Sequence, residues 1–265
     1  MQVVLRPALT CLLMLLVACT GQLTPSPLPP PPVPPATVAC DDQFAFSRPL
    51  TSQPGTALCR GGYAVLHSTV RKTPNYVAER LEAVNLDGSI TRSDDFRPDP
   101  ELAPAERAEL GDYRNSGYDR GHMAPAADFT TDAARMSQSF LLSNMVPQNG
   151  SLNSGWWDSL ERATRACAKT LGAVYVLSGP IYTGPVTTIG SGRVAVPSSL
   201  FKIIADAGGN SRAFVVPNAA GVKPGFAPYR VTVAAVEAAT GVNFFPTGGV
   251  DEGALGTLCP GAYGP

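Results

Sequence analysis

The chain has 265 residues, 44% of them hydrophobic and 15% charged, with a mean hydropathy of +0.04; this excludes disorder throughout and allows one large domain or two small ones. Twenty Lys and Arg against 21 Asp and Glu leave a net charge of −1, so no global positive field points to nucleic acid or an anionic membrane, and any basic site must be local. Two histidines, His67 and His122, with six scattered cysteines, leave too few spaced ligands for an ordinary zinc site.

At the N-terminus, Arg6 followed by the apolar run Ala8 to Ala18 has the form of a secretion signal and is too short to cross about 30 Å of hydrocarbon as a helix. Its end, Leu16-Val17-Ala18-Cys19, resembles the bacterial lipobox, which places the cut before Cys19 and a lipid on that cysteine. A plain signal peptide with a coincidental cysteine is the alternative. Residues 1–18 are expected as signal peptide and 19–39 as a lipidated cysteine with its linker. Thr24 to Thr37 is dominated by proline, and such a segment extends at about 3.1 Å per residue, some 40 Å in all. Residues 40–265 show no internal repeat or second linker and read as one domain. That domain is exported and held on a membrane, facing the periplasm or the cell exterior. Removing Cys11 with the signal and committing Cys19 to lipid leaves Cys40, Cys59, Cys167 and Cys259 in an oxidising compartment. Two disulfides are expected. Four cysteines admit three connectivities, of which Cys40–Cys59 is the local pairing and Cys167–Cys259 would tie the tail to the body.

Within the domain, Gly62 to Val70 and Tyr76 to Leu81 read as strands of a hairpin turned at Thr73-Pro74-Asn75. Ala173 to Leu177, Val194 to Val196, Phe201 to Ala205 and Ala213 to Val216 are further short β-branched runs between Gly, Pro, Ser and Asn. Helical patterns cover Asp132 to Ser139, Trp156 to Leu171 stopped by Gly172, and Val231 to Thr240 stopped by Gly241. The class is α+β, with a mixed, largely antiparallel central sheet flanked by helices. His67 lies in a strand-like segment and reads as structural. Trp156 and Trp157 carry the apolar spacing of a packed helix face, with base stacking as the sharper alternative.

The chemistry concentrates between Arg92 and Arg165. Asp119-Arg120-Gly121-His122 puts a carboxylate, a guanidinium, a permissive glycine and a titratable imidazole in four residues. Arginine offers a planar fork to phosphate oxygens, and histidine accepts a proton near neutrality. Taken alone, the run is equally a surface turn with an ion pair. Asn153, at the start of the central helix, is ordinarily a cap. Its oxygen also suits magnesium, which keeps most of its waters and takes one or two protein ligands.

Three linked elements then carry a resemblance. Asp119-Arg120-Gly121-His122-Met123-Ala124-Pro125, Ser143-Asn144-Met145-Val146-Pro147-Gln148, and Leu152-Asn153 with Leu160-Glu161 resemble, in order and spacing, the DNA/RNA non-specific endonucleases, which have a ββα-metal active site. Roughly residues 60 to 245 are covered. The resemblance implies that His122 is the general base and Asn153 the direct ligand of one magnesium, with manganese as an alternative. It places Arg120 close to phosphate and gives Asn144 the positioning of the histidine or the water shell. Glu161 and Arg165 hold metal-bound waters and the phosphate, and Arg92 matches an upstream phosphate-binding arginine. The implied substrates are DNA and RNA. Phosphodiester hydrolysis needs a base, a cation and phosphate clamps, and one His, one metal and a few Arg meet those needs. A catalytically inactive nucleic-acid-binding or structural lipoprotein on the same scaffold is the alternative.

Overall fold

Short runs rich in Val, Ile, Leu and Phe pair into an antiparallel sheet that carries helices on both faces. The computed structural model describes residues 40–264, which fall within one compact unit. The expected signal peptide, Cys19 and the proline-rich linker lie outside the described residues. In chain order the strands are β1 (Leu50–Thr51), β2 (Thr56–Cys59), β3 (Ala64–Ser68), β4 (Thr73–Glu82), β5 (Asp119–His122), β6 (Met145–Gln148), β7 (Ala173–Ile181), β8 (Thr188–Ile189), β9 (Val194–Ala195), β10 (Ser199–Ala205), β11 (Ser211–Pro217), β12 (Arg230–Val231) and β13 (Val242–Asn243). The helices are α1 (Leu110–Tyr113), α2 (Ala133–Gln138), α3 (Asp158–Leu171), α4 (Val233–Thr240) and α5 (Pro260–Tyr263).

The central sheet runs β12-β11-β10-β7-β4-β3-β2. Every pairing in it is antiparallel, so the expected α+β class holds with a sheet of one sense. Side chains alternate between its faces. Val77, Val176, Leu200 and Phe214 pack with Leu160, Ala163 and Ala168 of α3, whereas Ala78, Leu177, Phe201 and Ala213 pack with Val233 and Val236 of α4 and with Phe244. Separate from the sheet, β5 pairs with β6. A smaller apolar cluster of Tyr113, Leu142, Met145, Ile189 and Val194 ties that pair to α1 and to the β8–β9 hairpin.

Two local expectations are corrected. Thr73-Pro74-Asn75 is not the hairpin turn but the start of β4. The chain reverses earlier, where Lys72 takes a left-handed φ of 57° and its N–H donates to Ser68 O at 2.7 Å. Pro74 is accommodated because the β3–β4 register shifts at Leu66/His67, and a bulge removes the demand for a ladder N–H. The central helix begins before Trp156: a π-helical stretch, Leu152–Trp157, runs directly into α3. Its end falls where expected, at Gly172, whose φ of 87° suits glycine. Both expected disulfides form, Cys40–Cys59 and Cys167–Cys259, with Cα separations of 5.7 and 5.6 Å. Among the described residues, no helix is long and apolar enough to cross a membrane.

Candidate active site

The site is assembled by two short strands and the helix that follows them. In the β5–β6 pair, Asp119 lies opposite Gln148, Gly121 opposite Val146, and His122 opposite Met145. Gly121 is required by proximity: a Cβ there would overlap the side chain of Gln148. Beyond His122 the chain is stapled by Asn144, which is fully buried. The Asn144 Oδ1 accepts from Ala124 N at 2.9 Å, and its Nδ2 donates to Ala124 O at 2.8 Å and to Ser139 O at 2.9 Å. Every polar atom of that amide is thus spent on backbone.

His122 itself is buried, and among the described residues its Nε2 has no hydrogen-bond partner. Phe96 and Phe140 meet the imidazole edge-on with centroids 5.5 and 5.0 Å away, while Trp157 Nε1 donates to His122 O at 3.3 Å. Burial, then the charges of Arg92 and Arg120, pushes the imidazole down to about 3. The ring is therefore neutral at ordinary pH, with a nitrogen lone pair available.

A cavity of about 620 Å³ opens here, and His122, Arg120, Arg92, Asn153, Glu161 and Arg165 all line it. Of the residues singled out from the sequence, Asn144 alone stands behind the wall. The Arg120 guanidinium lies 4.0 Å from the Phe96 centroid and that of Arg92 4.7 Å from the Phe140 centroid. Arg92 also pairs with Asp94 at 2.6 Å. Arg165 is held by buried Asp128, Nη1 to Oδ1 at 2.8 Å. The capping role expected of an Asn at this helix falls instead to Asn149. Its Oδ1 accepts from Ser151 N and Oγ at 3.1 and 2.8 Å. Asn153 lies inside the π-helical stretch, a distortion frequent at functional sites, and its Nδ2 donates to Asp119 Oδ2 at 3.0 Å. The Asn153 carbonyl oxygen is left for another partner.

The oxygens lining the cavity include those of Asn153, Asp119, Asp158 and Glu161, hard donors suited to magnesium or manganese. Among the described residues, no group of three or more His, Cys, Asp and Glu is arranged to hold an ion, so a cation here would keep water in most of its shell. The residues present fit such an ion.

Charged residues that the sequence reading did not single out lie beneath the cavity. Lys202 of β10 is fully buried; its Nζ donates to Ser178 Oγ at 2.8 Å and sits 4.9 Å from the Trp157 centroid. Glu79 of β4 is also buried, and among the described residues its Oε2 has no hydrogen-bond partner. Burial raises the carboxyls of Glu79 and Asp128 above the usual range. The same cause brings Glu161 up to about 7, opposed by the Lys202 and Arg165 charges. One signal was legible: Lys202 interrupts the apolar run Phe201 to Ala205. His67 is structural, with Nε2 3.0 Å from Glu106 O. Both tryptophans belong to the core, Trp156 donating to Gly225 O at 2.8 Å.

Residues 43–250 match the family described as DNA/RNA non-specific endonuclease. The mitochondrial nuclease EXOG of Danio rerio is 35% identical over 215 residues, 74% of this chain and 62% of that protein. Its Homo sapiens counterpart is 35% identical over 226 residues, 77% of this chain and 60% of that protein. The chain thus spans about three fifths of these relatives' length. Nuclease C1 of Cunninghamella echinulata var. echinulata is 35% identical over 227 residues, 78% of this chain and 89% of that protein. Among solved structures, one of the EndoG/EndoGI complex, described with the mechanism of EndoG inhibition, matches with a TM-score of 0.73 and 29% identity, over 79% of this chain and 93% of that one. The family match takes in the whole central sheet, the β5–β6 pair and α3, and on that span the chain belongs to the DNA/RNA non-specific endonuclease family.

Proposed function

We propose that the protein is a non-specific endonuclease that hydrolyses phosphodiester bonds in DNA and RNA and depends on magnesium, or on manganese in its place. One observation carries the reading: a buried, neutral His122 with an unpartnered Nε2 shares a cavity with Arg120, Arg165 and the open carbonyl of Asn153. His122 takes the proton of the attacking water. Arg120 and Arg165 clamp the phosphate, and Asp128 fixes the second of them in place. Asn153, with its amide oriented by Asp119, would hold the cation directly, and Glu161 would act on it through water. When bound, the cation offsets the negative charge that builds on phosphate and leaving oxygen. Arg92, which lines the same cavity, adds a further phosphate contact, and Asn144 keeps the backbone after His122 in register.

Supercoiled plasmid and a structured RNA incubated with purified residues 38–265 test the reading. Nicking with magnesium and none with chelator is the expected result. Intact plasmid and RNA in both, with binding retained, would instead support the inactive nucleic-acid-binding or structural lipoprotein.

We infer further that residues 1–18 are a signal peptide, that Cys19 is the lipidated first residue of an exported protein, and that residues 19–39 space the 40–265 domain from the membrane. The lipobox-like Leu16-Val17-Ala18-Cys19 and the proline run support this. Mass spectrometry of the mature N-terminus tests it: an unmodified terminus at any other residue would overturn it.

A further inference from the structure

We propose that Arg114 binds a phosphate next to the one being cut, so that the cavity takes a stretch of nucleic-acid strand and not a lone phosphodiester; the proposal rests on the nuclease reading above. Four guanidinium groups, those of Arg92, Arg114, Arg120 and Arg165, line the cavity together with the carboxylates of Asp119, Asp158 and Glu161, and the four differ in what holds them. Arg92 is paired with Asp94 and Arg165 with Asp128. Arg120 lies on the Phe96 ring within the catalytic motif. Arg114 is exposed, and among the described residues its guanidinium has no carboxylate and no hydrogen-bond partner. A planar fork with its donors unspent on the protein is the group best able to grip an incoming phosphate.

Its backbone is fixed although its side chain is free. In α1, Asp112 Oδ2 accepts from Glu109 N at 2.9 Å, and Asp112 Oδ1 accepts from Gly192 N at 2.6 Å, which docks the β8–β9 hairpin against the helix. Tyr113 is buried. Immediately after Arg114 the chain turns through Asn115, with φ of 57°, and Ser116 Oγ accepts from Tyr118 N at 3.1 Å. Arg114 therefore projects from a held turn, which lowers the ordering cost of binding. Leu110, which is exposed, and Tyr118 line the cavity beside it and offer apolar surface to a sugar or base.

Neutralising one phosphate contributes about 0.9 to the slope of log K against log salt on duplex, and about 0.7 on a single strand. The test is fluorescence anisotropy of a labelled duplex with the full chain in chelator, so that nothing is cleaved, across 50 to 200 mM salt. Arg114→Ala is expected to flatten the slope by about 0.9, its affinity deficit being about 3.5-fold larger at the low-salt end than at the high-salt end. Arg114→Lys, which keeps the charge, is expected to restore the slope. An unchanged slope in Arg114→Ala overturns the proposal, as does a loss of slope that Arg114→Lys fails to recover or that accompanies a lowered melting temperature. If the native chain itself neither binds nor cuts nucleic acid, the nuclease reading fails, and this inference with it.

Discussion

His122 is kept neutral by the same burial that leaves its Nε2 without a protein partner, and its removal is the sharpest test at the scale of single residues. His122→Ala is expected to lower plasmid nicking by about 10²- to 10⁴-fold, the usual range for a general base, with nucleic-acid binding retained. Activity within about threefold of the native level would place the base elsewhere. Asn153 and Glu161 should separate under magnesium titration. Loss of an outer contact typically costs about 10- to 100-fold in affinity or activity, so Glu161→Ala should recover with added magnesium more fully than Asn153→Ala. The reverse order would make Glu161 the direct ligand. The pH dependence of stability has two opposed parts. His122 is held down to about 3 in the fold against an ordinary 6.5, so the unfolded chain binds the extra proton and stability falls as pH drops through that window. Glu161 is held up to about 7 against 4.5, so the fold binds the extra proton and stability falls as pH rises from about 4.5 to 7. Melting curves of Glu161→Gln should lack this second loss; an unaltered profile would show that Glu161 ionises normally.

At the scale of elements, the β5–β6 pair depends on the space at Gly121. Gly121→Ala should destabilise the protein by about 1–3 kcal/mol through overpacking against Gln148. Gln148→Ala in the same chain should return part of the loss, which chemical denaturation would report. The sheet contributes charge to the site through the β10–β7 register, which sets Lys202 opposite Ser178, while Glu79 stands two residues along β4 from Val77, the partner of Ser178. Removing the buried cation leaves neighbouring carboxyls uncompensated. Lys202→Met is therefore expected to cost about 3–5 kcal/mol near pH 8 and less near pH 5, where protonation relieves the repulsion. An equal cost at both pH values would argue that packing alone explains it. The network also shows what the sequence could reveal. The Asp-Arg-Gly-His run, the strands and the helix ends were legible because they depend on neighbours a few residues apart. Pro74 misled because proline marks turns in isolation, whereas here a bulge at Asn75, visible only once β4 is paired with β3, admits it. The helix start misled because two asparagines lie four residues apart and only the fold decides that Asn149 caps while Asn153 faces the cavity. Glu79, Asp128 and Lys202 are far apart in the chain, and only sheet register and the packing of α3 bring them together.

Across the whole molecule, the C-terminal tail is fastened to the helix that carries Glu161 and Arg165. Cys259 bonds Cys167 two residues beyond Arg165, Tyr263 donates from its hydroxyl to Thr164 Oγ1 at 3.2 Å, and Arg212 Nη1 donates to Gly264 O at 2.9 Å. By chain entropy, a bridge between residues 92 apart restrains the unfolded chain by about 4.6 kcal/mol, and one between residues 19 apart by about 3.2 kcal/mol. The total of about 8 kcal/mol is comparable with the entire 5–15 kcal/mol by which a domain is stable. In a reducing cytosol the newly made chain would lack both bridges, and α3 would lose its fastening at the end nearest the tail. The fold is therefore expected to depend on oxidation of both cysteine pairs. The thiol form should melt far below the oxidised form and nick plasmid feebly at growth temperature, regaining activity on reoxidation. Equal melting temperatures and equal nicking by the two forms would show that the fold does not depend on the bridges.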